Sequence, residues 1–302
     1  MKIVYGHTDS IYVQVEDIEK SKELCEYLNT EVQKLFPNVF DLEEHPVQLE
    51  FEKYFKSLGV GTTKNRNAGL INWKDGEFLD EEEFVMTGFT AKRVSETTLA
   101  KETQIGVLKM WVNGNTEEEI TQDLHEKYWK VANGDIPLED IIKRSRFKPE
   151  RFTVECANCK RNNWKSRYTL NQLVERKANG RECCDKADYV TIEGKSPMIG
   201  GGLEGVLFYN HMNPIPITDS YIFYKIEPAP VQYLHPFTGR FTQPKYLSAE
   251  TLDQLRGYGL SPDWGHYAET VLKKAEPIYR AMGWDLMAIK RDSGLSDLAE
   301  WI

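Results

Sequence analysis

The sequence predicts an α+β fold, in which an antiparallel sheet with one helix precedes a mainly helical region that carries a cysteine-containing insert and a small irregular β region. Three observations support this class. Up to residue 94, short runs of alternating residues end at tight turns, as antiparallel strands do. Residues 96–112, 116–133 and 262–283 have the length and composition of helices. A basic segment with four cysteines lies between the second and third of these helices.

Two short strands flank a tight polar turn at the start of the chain. IVY (residues 3–5) and IYVQV (residues 11–15) enclose GHTDS, which predicts a hairpin. A helix is predicted over residues 20–35, where apolar residues recur at helical spacing, and Pro37 ends it.

Further strands are predicted before residue 94. Residues 47–55 alternate apolar and charged side chains, and residues 62–73 form the next strand. Asp75 and Gly76 are a typical two-residue hairpin turn, so the strand that follows is expected to pair with residues 62–73.

Capping residues set the starts of the next two helices. Ser95 or Thr97 is expected to cap the first, and Asn115 or Thr116 the second. Residues 203–226 alternate in polarity and carry prolines, which predicts irregular strands.

The charge distribution is uneven. The net charge of −9 by itself argues against nucleic-acid binding, because neutralising phosphate requires Lys and Arg. Residues 143–181, however, are strongly basic, and Arg144 and Arg146 belong to this run. The run is either a solvated face or a phosphate-binding surface, and its aromatic residues favour the second interpretation.

The sequence also bears on location. No apolar run approaches the roughly 18 residues of a membrane span. MKIVYGHTDS lacks the long apolar stretch of a signal peptide. We therefore expect the protein in the cytoplasm.

Four cysteines are grouped in two pairs. Cys156 and Cys159 have the spacing of a zinc knuckle, whereas the adjacent pair Cys183 and Cys184 is less usual. A predicted helix at 169–178 separates the pairs. The four thiols are expected to bind a structural zinc ion, and the alternatives are free thiols or one disulfide.

The motif that carries most information is Tyr5-Gly6-His7-Thr8-Asp9-Ser10, which lies at the predicted hairpin turn. It resembles motif C of family B DNA polymerases, in which the hairpin tip presents acidic groups to magnesium. The resemblance implies that Asp9 is the main metal ligand. Transfer of a nucleotidyl group by two metal ions requires such hard oxygen ligands on a rigid backbone.

Two later segments resemble the same family in the same order. Residues 49–55 are similar to the palm strand whose glutamate lies near the metals, here Glu52. Residues 64–70 are similar to the basic segment that holds the primer duplex, which implies that Lys64 and Arg66 contact DNA.

The resemblance continues toward the helices. Residues 88–93 are similar to the next phosphate-contacting strand, with Lys92 and Arg93 in the binding role, and residues 100–108 resemble the first thumb helix of archaeal members. Asn67 stands where the family has a tyrosine, which is expected to weaken the grip on the primer without abolishing it.

His7 is the other departure from the family pattern, because it occupies the position of the first motif C aspartate. Three interpretations remain open. His7 fills a hydrogen-bonding role at a position that is not an essential ligand, it changes the metal preference, or catalysis is lost. A neutral imidazole suits Mn²⁺ or Zn²⁺ better than Mg²⁺.

The family resemblance implies a domain order and a function. Residues 1–94 would be the C-terminal part of the palm and residues 95–302 the thumb, with the insert at about 150–190. The chain would be the small subunit of a split archaeal-type DNA-directed DNA polymerase. A larger partner would supply the exonuclease, the fingers and the rest of the palm, and the two would share Mg²⁺, dNTP and primer–template DNA.

Three apolar residues lie close to the end of the sequence. Leu298, Trp301 and Ile302 have the apolar spacing of a tail that docks on a sliding clamp, or they form a helix that packs on the thumb.

Two alternatives to a catalytic polymerase subunit remain open. The first is that the chain is a non-catalytic DNA-binding subunit descended from a polymerase. The second is that the chain is a piece of a longer enzyme.

Overall fold

The described parts of the chain contain α-helices and antiparallel sheets, which confirms the predicted α+β class. A computed structural model describes residues 2–7, 10–61, 63, 65–146, 154–156, 158–159, 178–186, 189–191, 201–234 and 241–291.

The described residues form α-helices and strands, numbered in chain order. The α-helices are α1 (Ile18–Leu35), α2 (Thr98–Val112), α3 (Glu117–Ala132), α4 (Gly201–Met212), α5 (Leu252–Gly257) and α6 (Trp264–Met282). The strands are β1 (Lys2–His7), β2 (Ser10–Gln14), β3 (Lys53–Val60), β4 (Asn67–Lys74), β5 (Glu77–Thr87), β6 (Lys143–Arg146), β7 (Val154–Cys156), β8 (Tyr189–Thr191), β9 (Ser220–Lys225), β10 (Tyr233–Leu234), β11 (Phe241–Thr242) and β12 (Tyr246–Ala249).

The chain forms two compact units. The described residues within 1–92, 101–128 and 271–302 make up the first unit, and those within 93–100 and 129–270 make up the second. The first boundary lies close to the predicted palm–thumb boundary at residue 94, but two later segments return to the first unit. The assignment of residues 1–94 to the palm and 95–302 to the thumb stays a prediction.

A three-stranded antiparallel sheet in the order β3-β4-β5 forms the core of the first unit. The central strand β4 is the most buried, with Ala68, Leu70, Ile71 and Trp73 inside. The β4–β5 turn at Asp75 and Gly76 has φ of 50° and 102°, which confirms the predicted hairpin.

Helix α1 explains why one predicted strand is shorter than expected. Asp17 caps α1 through a hydrogen bond from the Lys20 amide (2.8 Å), and the helix ends at the predicted Leu35. On α1, the Asn29 side chain bonds both the amide (2.6 Å) and the carbonyl (2.9 Å) of Leu49. Because these groups are taken by a helix side chain, residues 47–52 are not a strand, and the prediction for them was wrong.

The second unit contains a sheet in the order β12-β9-β6, on which α4 packs. The predicted irregular strand is wrong for residues 203–212, which are helical. Helix α4 approaches the sheet closely because a side chain at Gly202 or Gly205 would collide with Phe223 or Ser248. Two features hid this helix in the sequence. Glycine lowers helix propensity, and a buried helix lacks the separate apolar and polar faces by which helices are recognised.

The remaining predicted helices are confirmed where the structure describes them. The hydroxyls of Thr97 and Thr116 accept amide hydrogen bonds (3.2 and 3.3 Å) at the starts of α2 and α3, so both are caps. Helix α6 is the predicted last long helix. The predicted helix at 169–178 lies outside the described residues, apart from Ala178.

The helices bear on whether the chain could span a membrane. Within the described ranges, none has both the length and the apolar character that crossing a bilayer requires.

The loop between β3 and β4 packs against Gly88, which lies in the turn that follows β5. Gly88 has φ of 76°, and a Cβ there would collide with the backbone carbonyl of Asn65. Asn65 itself has φ of 60°, and Gly61 N donates to Arg66 O at 2.8 Å across the base of the loop. Position 88 therefore requires glycine both for its backbone angle and for space.

We predict that Gly88→Ala destabilises the chain more than Gly76→Ala does. Both substitutions place alanine at a positive φ, which costs about 1–2 kcal/mol, but only residue 88 also meets a backbone atom. The difference in the free energy of unfolding, measured by urea titration, should be at least about 1 kcal/mol, the usual lower range for overpacking. Equal effects of the two variants would contradict the close contact.

Candidate functional site

The hairpin β1–β2 presents the motif at residues 5–10. His7 pairs with Ser10 across its end, and among the strands that the structure describes the hairpin pairs with no third. The backbone of His7 belongs to β1. Asp9, the predicted metal ligand, lies outside the described residues.

Aromatic contacts fix the hairpin on the sheet of the first unit. Tyr5 and Tyr12 lie opposite each other on the two strands, with ring centroids 5.3 Å apart. Tyr12 in turn contacts Phe55 of β3, with centroids 5.8 Å apart. An isolated two-stranded hairpin is marginally stable in water, so this packing is needed to hold it.

A hydrogen bond joins the hairpin to the basic loop between β3 and β4. The Tyr5 hydroxyl donates to Asn65 Oδ1 at 3.1 Å. Tyr5 lies two residues before His7, and Asn65 immediately precedes Arg66. The bond therefore brings the end of the motif hairpin beside the loop that carries Arg66. Lys64, the other basic residue predicted in this loop, lies outside the described residues.

Arg66 lines a cleft within the first unit that we call the cationic cleft. Its volume is about 290 Å³, enough for a phosphate group with several waters, since each water occupies about 30 Å³. Three basic residues of α6 line it with Arg66, and only one acidic residue does. The lining residues are Thr63, Arg66, Phe89, Thr90, Gln104, Lys273, Lys274, Glu276, Pro277 and Arg280.

Buried Gln104 of α2 orders one wall of the cationic cleft. Its Oε1 accepts from the Ala91 amide (2.8 Å) and the Thr90 hydroxyl (3.1 Å). Lys274 Nζ then donates to Thr90 Oγ1 at 2.8 Å. These contacts fix the turn after Gly88 beside the cations. A cleft with this excess of positive charge can bind a phosphate group.

The sequence model of DNA polymerase family B matches residues 1–279.

The chain belongs to DNA polymerase family B.

A solved structure has a similar fold. It is the family B DNA polymerase from the hyperthermophilic archaeon Pyrobaculum calidifontis, with a TM-score of 0.54 and 15% sequence identity. The match covers 94% of this chain and 27% of that chain, so this chain spans about a quarter of the length of the polymerase it matches. The similarity of fold and the family match confirm the resemblance found in the sequence.

Two predicted site residues of this family B chain do not line the cationic cleft. Glu52 precedes β3, where its carbonyl accepts from the Asp75 amide at 3.1 Å. It therefore lies at the end of the sheet opposite the 61–66 loop. Asn67 starts β4 with 7% of its surface exposed, paired with Val60 and Thr87. Asn67 is therefore buried and is not available to contact DNA.

The other predicted DNA contacts are divided between the two units. Lys92 ends a 3₁₀ turn at Thr90–Lys92 in the first unit. Arg93 is exposed and belongs to the second unit, as do Arg144 and Arg146. Arg144 and Arg146 are exposed on β6, an edge strand of the β12-β9-β6 sheet.

Sequence reasoning missed Lys273, Lys274 and Arg280, which come from the far end of the chain. Their spacing contained a usable signal, because Lys273 and Arg280 are seven residues apart and share one face of α6. Only the fold shows that this face lines the same cleft as Arg66.

The second unit of this polymerase-family chain brings the four predicted cysteines together. The sulfur atoms of Cys156, Cys159, Cys183 and Cys184 all lie within 4.8 Å of one another, so the group could hold a metal ion. The predicted clamp-binding residues Leu298, Trp301 and Ile302 lie outside the described residues.

Proposed function

We propose that this chain is the small, palm-and-thumb subunit of a DNA-directed DNA polymerase and acts with a larger subunit. The observation that carries the proposal is the hydrogen bond from Tyr5 to Asn65, because it holds the motif hairpin beside the loop with Arg66. A polymerase requires these two functions, metal binding and primer binding, at adjacent positions.

The proposed reaction is attack by the primer 3′-oxygen on the α-phosphate of a dNTP, with pyrophosphate as the leaving group. Magnesium, when bound, would stabilise the charge that develops on the phosphates. Asp9 offers the hard oxygen ligand that Mg²⁺ prefers. A single carboxylate does not hold two ions, so the second aspartate would come from the larger subunit. His7 would then either support the hairpin by hydrogen bonding or change the metal preference.

The chain's own part in DNA binding is electrostatic. The cationic cleft would accept a backbone phosphate of the primer–template duplex between Arg66 and the α6 cations. Lys64, Lys92, Arg93, Arg144 and Arg146 remain proposed phosphate contacts. Contacts of this kind position a duplex and confer no sequence preference.

Exposed apolar residues support the existence of a larger partner. Ile3 and Ile11 on the hairpin are 64% and 50% exposed. A second group follows the end of α1, where Val39 and Phe40 are 73% and 78% exposed. The matched polymerase is much longer than this chain. The larger subunit, which would supply the rest of the palm, is the occupant we propose for these surfaces. An interface that completes a sheet and a core is expected to be large and obligate.

A non-catalytic DNA-binding subunit is the second candidate function. Binding at the cationic cleft does not require Asp9, and His7 replaces an acidic residue of the family motif. In this case the chain would clamp the duplex for another enzyme. The cytoplasmic location predicted from the sequence is compatible with both functions and stays a prediction.

We predict that Asp9→Ala abolishes primer extension by the purified complex of the two subunits. Loss of a metal ligand removes several kcal/mol of transition-state stabilisation, so the rate should fall at least about a hundredfold. Affinity for primer–template DNA should stay close to that of the wild type. Asp80→Ala, an exposed aspartate of β5, is the control and should keep full activity.

Equal extension rates for wild type and Asp9→Ala would rule out the catalytic role and favour the DNA-clamping function. Glu52→Gln tests the role predicted for the second acidic residue. Glu52 lies at the other end of the sheet from the 61–66 loop, so we expect a smaller loss of activity than for Asp9→Ala. A loss as large as that of Asp9→Ala would make Glu52 a metal ligand, and a smaller loss would fit the helper role predicted for it.

We predict that Lys273→Gln and Arg280→Gln each weaken binding of the complex to duplex DNA. For each lost phosphate contact, the slope of log K against log salt concentration should decrease by about one. The loss should be uniform across DNA sequences, measured by fluorescence anisotropy. Lys22→Gln on α1, in the same unit but outside the cleft, is the control. Unchanged affinity and slope in both cleft variants would show that the cleft does not contact DNA.

We predict that the double substitution Val39→Asp, Phe40→Asp lowers recovery of the larger subunit at least about tenfold, equivalent to about 1.4 kcal/mol of binding free energy. Both side chains are exposed in this chain, so its fold should be retained, as circular dichroism would verify. The control is Val94→Asp, at a residue that is 94% exposed in the second unit. Full recovery of a subunit carrying the exonuclease and fingers motifs would contradict the proposed surface.

A further inference from the structure

The four cysteines of the second unit form a cluster that has no part in the function proposed above. Cys156 ends β7, and Cys159 follows in the next turn. Cys183 and Cys184 lie in a bend before β8. Residues separated by more than 20 positions in the sequence therefore meet, and Cys156 is fully buried.

The sulfur–sulfur distances match ligation of one ion better than a covalent bond. Cys156 Sγ lies 3.7 Å from Cys184 Sγ, and Cys159 Sγ lies 3.5 Å from Cys183 Sγ. Tetrahedral zinc with Zn–S bonds of about 2.3 Å separates its sulfur ligands by about 3.8 Å. A disulfide requires about 2.05 Å. The adjacent pair is accommodated because its two cysteines face different partners.

The local fold gives a metal ion a structural task. Strands β7 and β8 contain three residues each and form their own two-stranded sheet, in which Cys156 pairs with Tyr189. So short a ribbon has little intrinsic stability. Because ligands must be brought together for binding, the free energy of metal binding becomes free energy of folding.

We propose that Cys156, Cys159, Cys183 and Cys184 bind one structural zinc ion as thiolates. Soft thiolate ligands in a tetrahedral set select zinc or iron rather than magnesium. Four protein ligands leave no open coordination position, so the ion has no catalytic role. Asn158 Nδ2 donates to Cys184 Sγ at 3.3 Å, a contact that stabilises the negative charge on the sulfur and orients it.

Cys25 provides the matched control, because it is a cysteine of the other unit. Its thiol donates to the carbonyl of Leu49 at 3.3 Å. Burial, followed by the charge of Glu26, raises the pKa of the Cys25 thiol, which disfavours the thiolate that metal binding requires.

The test is the metal content of the full chain, purified under reducing conditions without chelators and measured by plasma mass spectrometry. We expect about one zinc ion per chain in the wild type and in Cys25→Ser. Cys156→Ser and Cys183→Ser each remove one thiolate ligand. The affinity for zinc should fall by at least about 10–100-fold, the loss that changes to outer-shell residues cause, and the zinc content of both variants should therefore be lower. Zinc content that is the same in all four proteins would overturn the proposal.

Cobalt replacement keeps the test independent of whether the variants fold. The wild-type chain, stripped of metal and reconstituted with Co²⁺, should show the intense visible absorption of tetrahedral cobalt with thiolate ligands. The absence of this absorption would overturn the site. A wild-type chain that holds iron in place of zinc would overturn the choice of metal. A metal-free chain whose intact mass is lower by the hydrogen atoms lost in disulfide formation would show that disulfides, rather than an ion, link the cysteines.

Discussion

The close approach of the Gly88 backbone to the carbonyl of Asn65 is the contact on which the arrangement of the first unit depends. It allows the 61–66 loop to lie against the turn that follows β5. From this position the loop makes two further contacts. Asn65 receives the Tyr5 hydroxyl of the motif hairpin, and Arg66 enters the cleft beside Thr90. One backbone contact thus places the hairpin, the basic loop and the cleft wall together.

Elements with strong local signals were predictable from the sequence. The Asp75-Gly76 turn requires positive φ at both positions, and threonine caps mark the starts of α2 and α3. Elements decided by long-range contacts were not. Helix α4 is stabilised by glycines that let it approach Phe223 and Ser248, although glycine disfavours helices. Residues 47–52 follow an alternating pattern, but the side chain of Asn29 takes the backbone groups of Leu49.

The candidate site shows the same division between local and long-range information. A contiguous motif indicated the hairpin, and a second indicated Arg66. The α6 cations come from more than 200 positions later in the chain, so no local pattern connects them with Arg66. The cysteine cluster was predictable in kind from the Cys156–Cys159 spacing. The structure was needed to show how the adjacent cysteines join the cluster. Cys184 faces Cys156, and Cys183 faces Cys159.

The net charge of −9 does not oppose phosphate binding, because the charges are distributed unevenly. On the β3-β4-β5 sheet, acidic residues of β5 are paired with lysines. Glu82 lies 2.6 Å from Lys56, and Glu83 lies 3.3 Å from Lys74. The cationic cleft has four basic residues and one acidic residue in its lining. At physiological salt the Debye length is about 8 Å, so a bound phosphate responds mainly to the charges that line the cleft. The local excess of positive charge, rather than the total, determines what the cleft attracts.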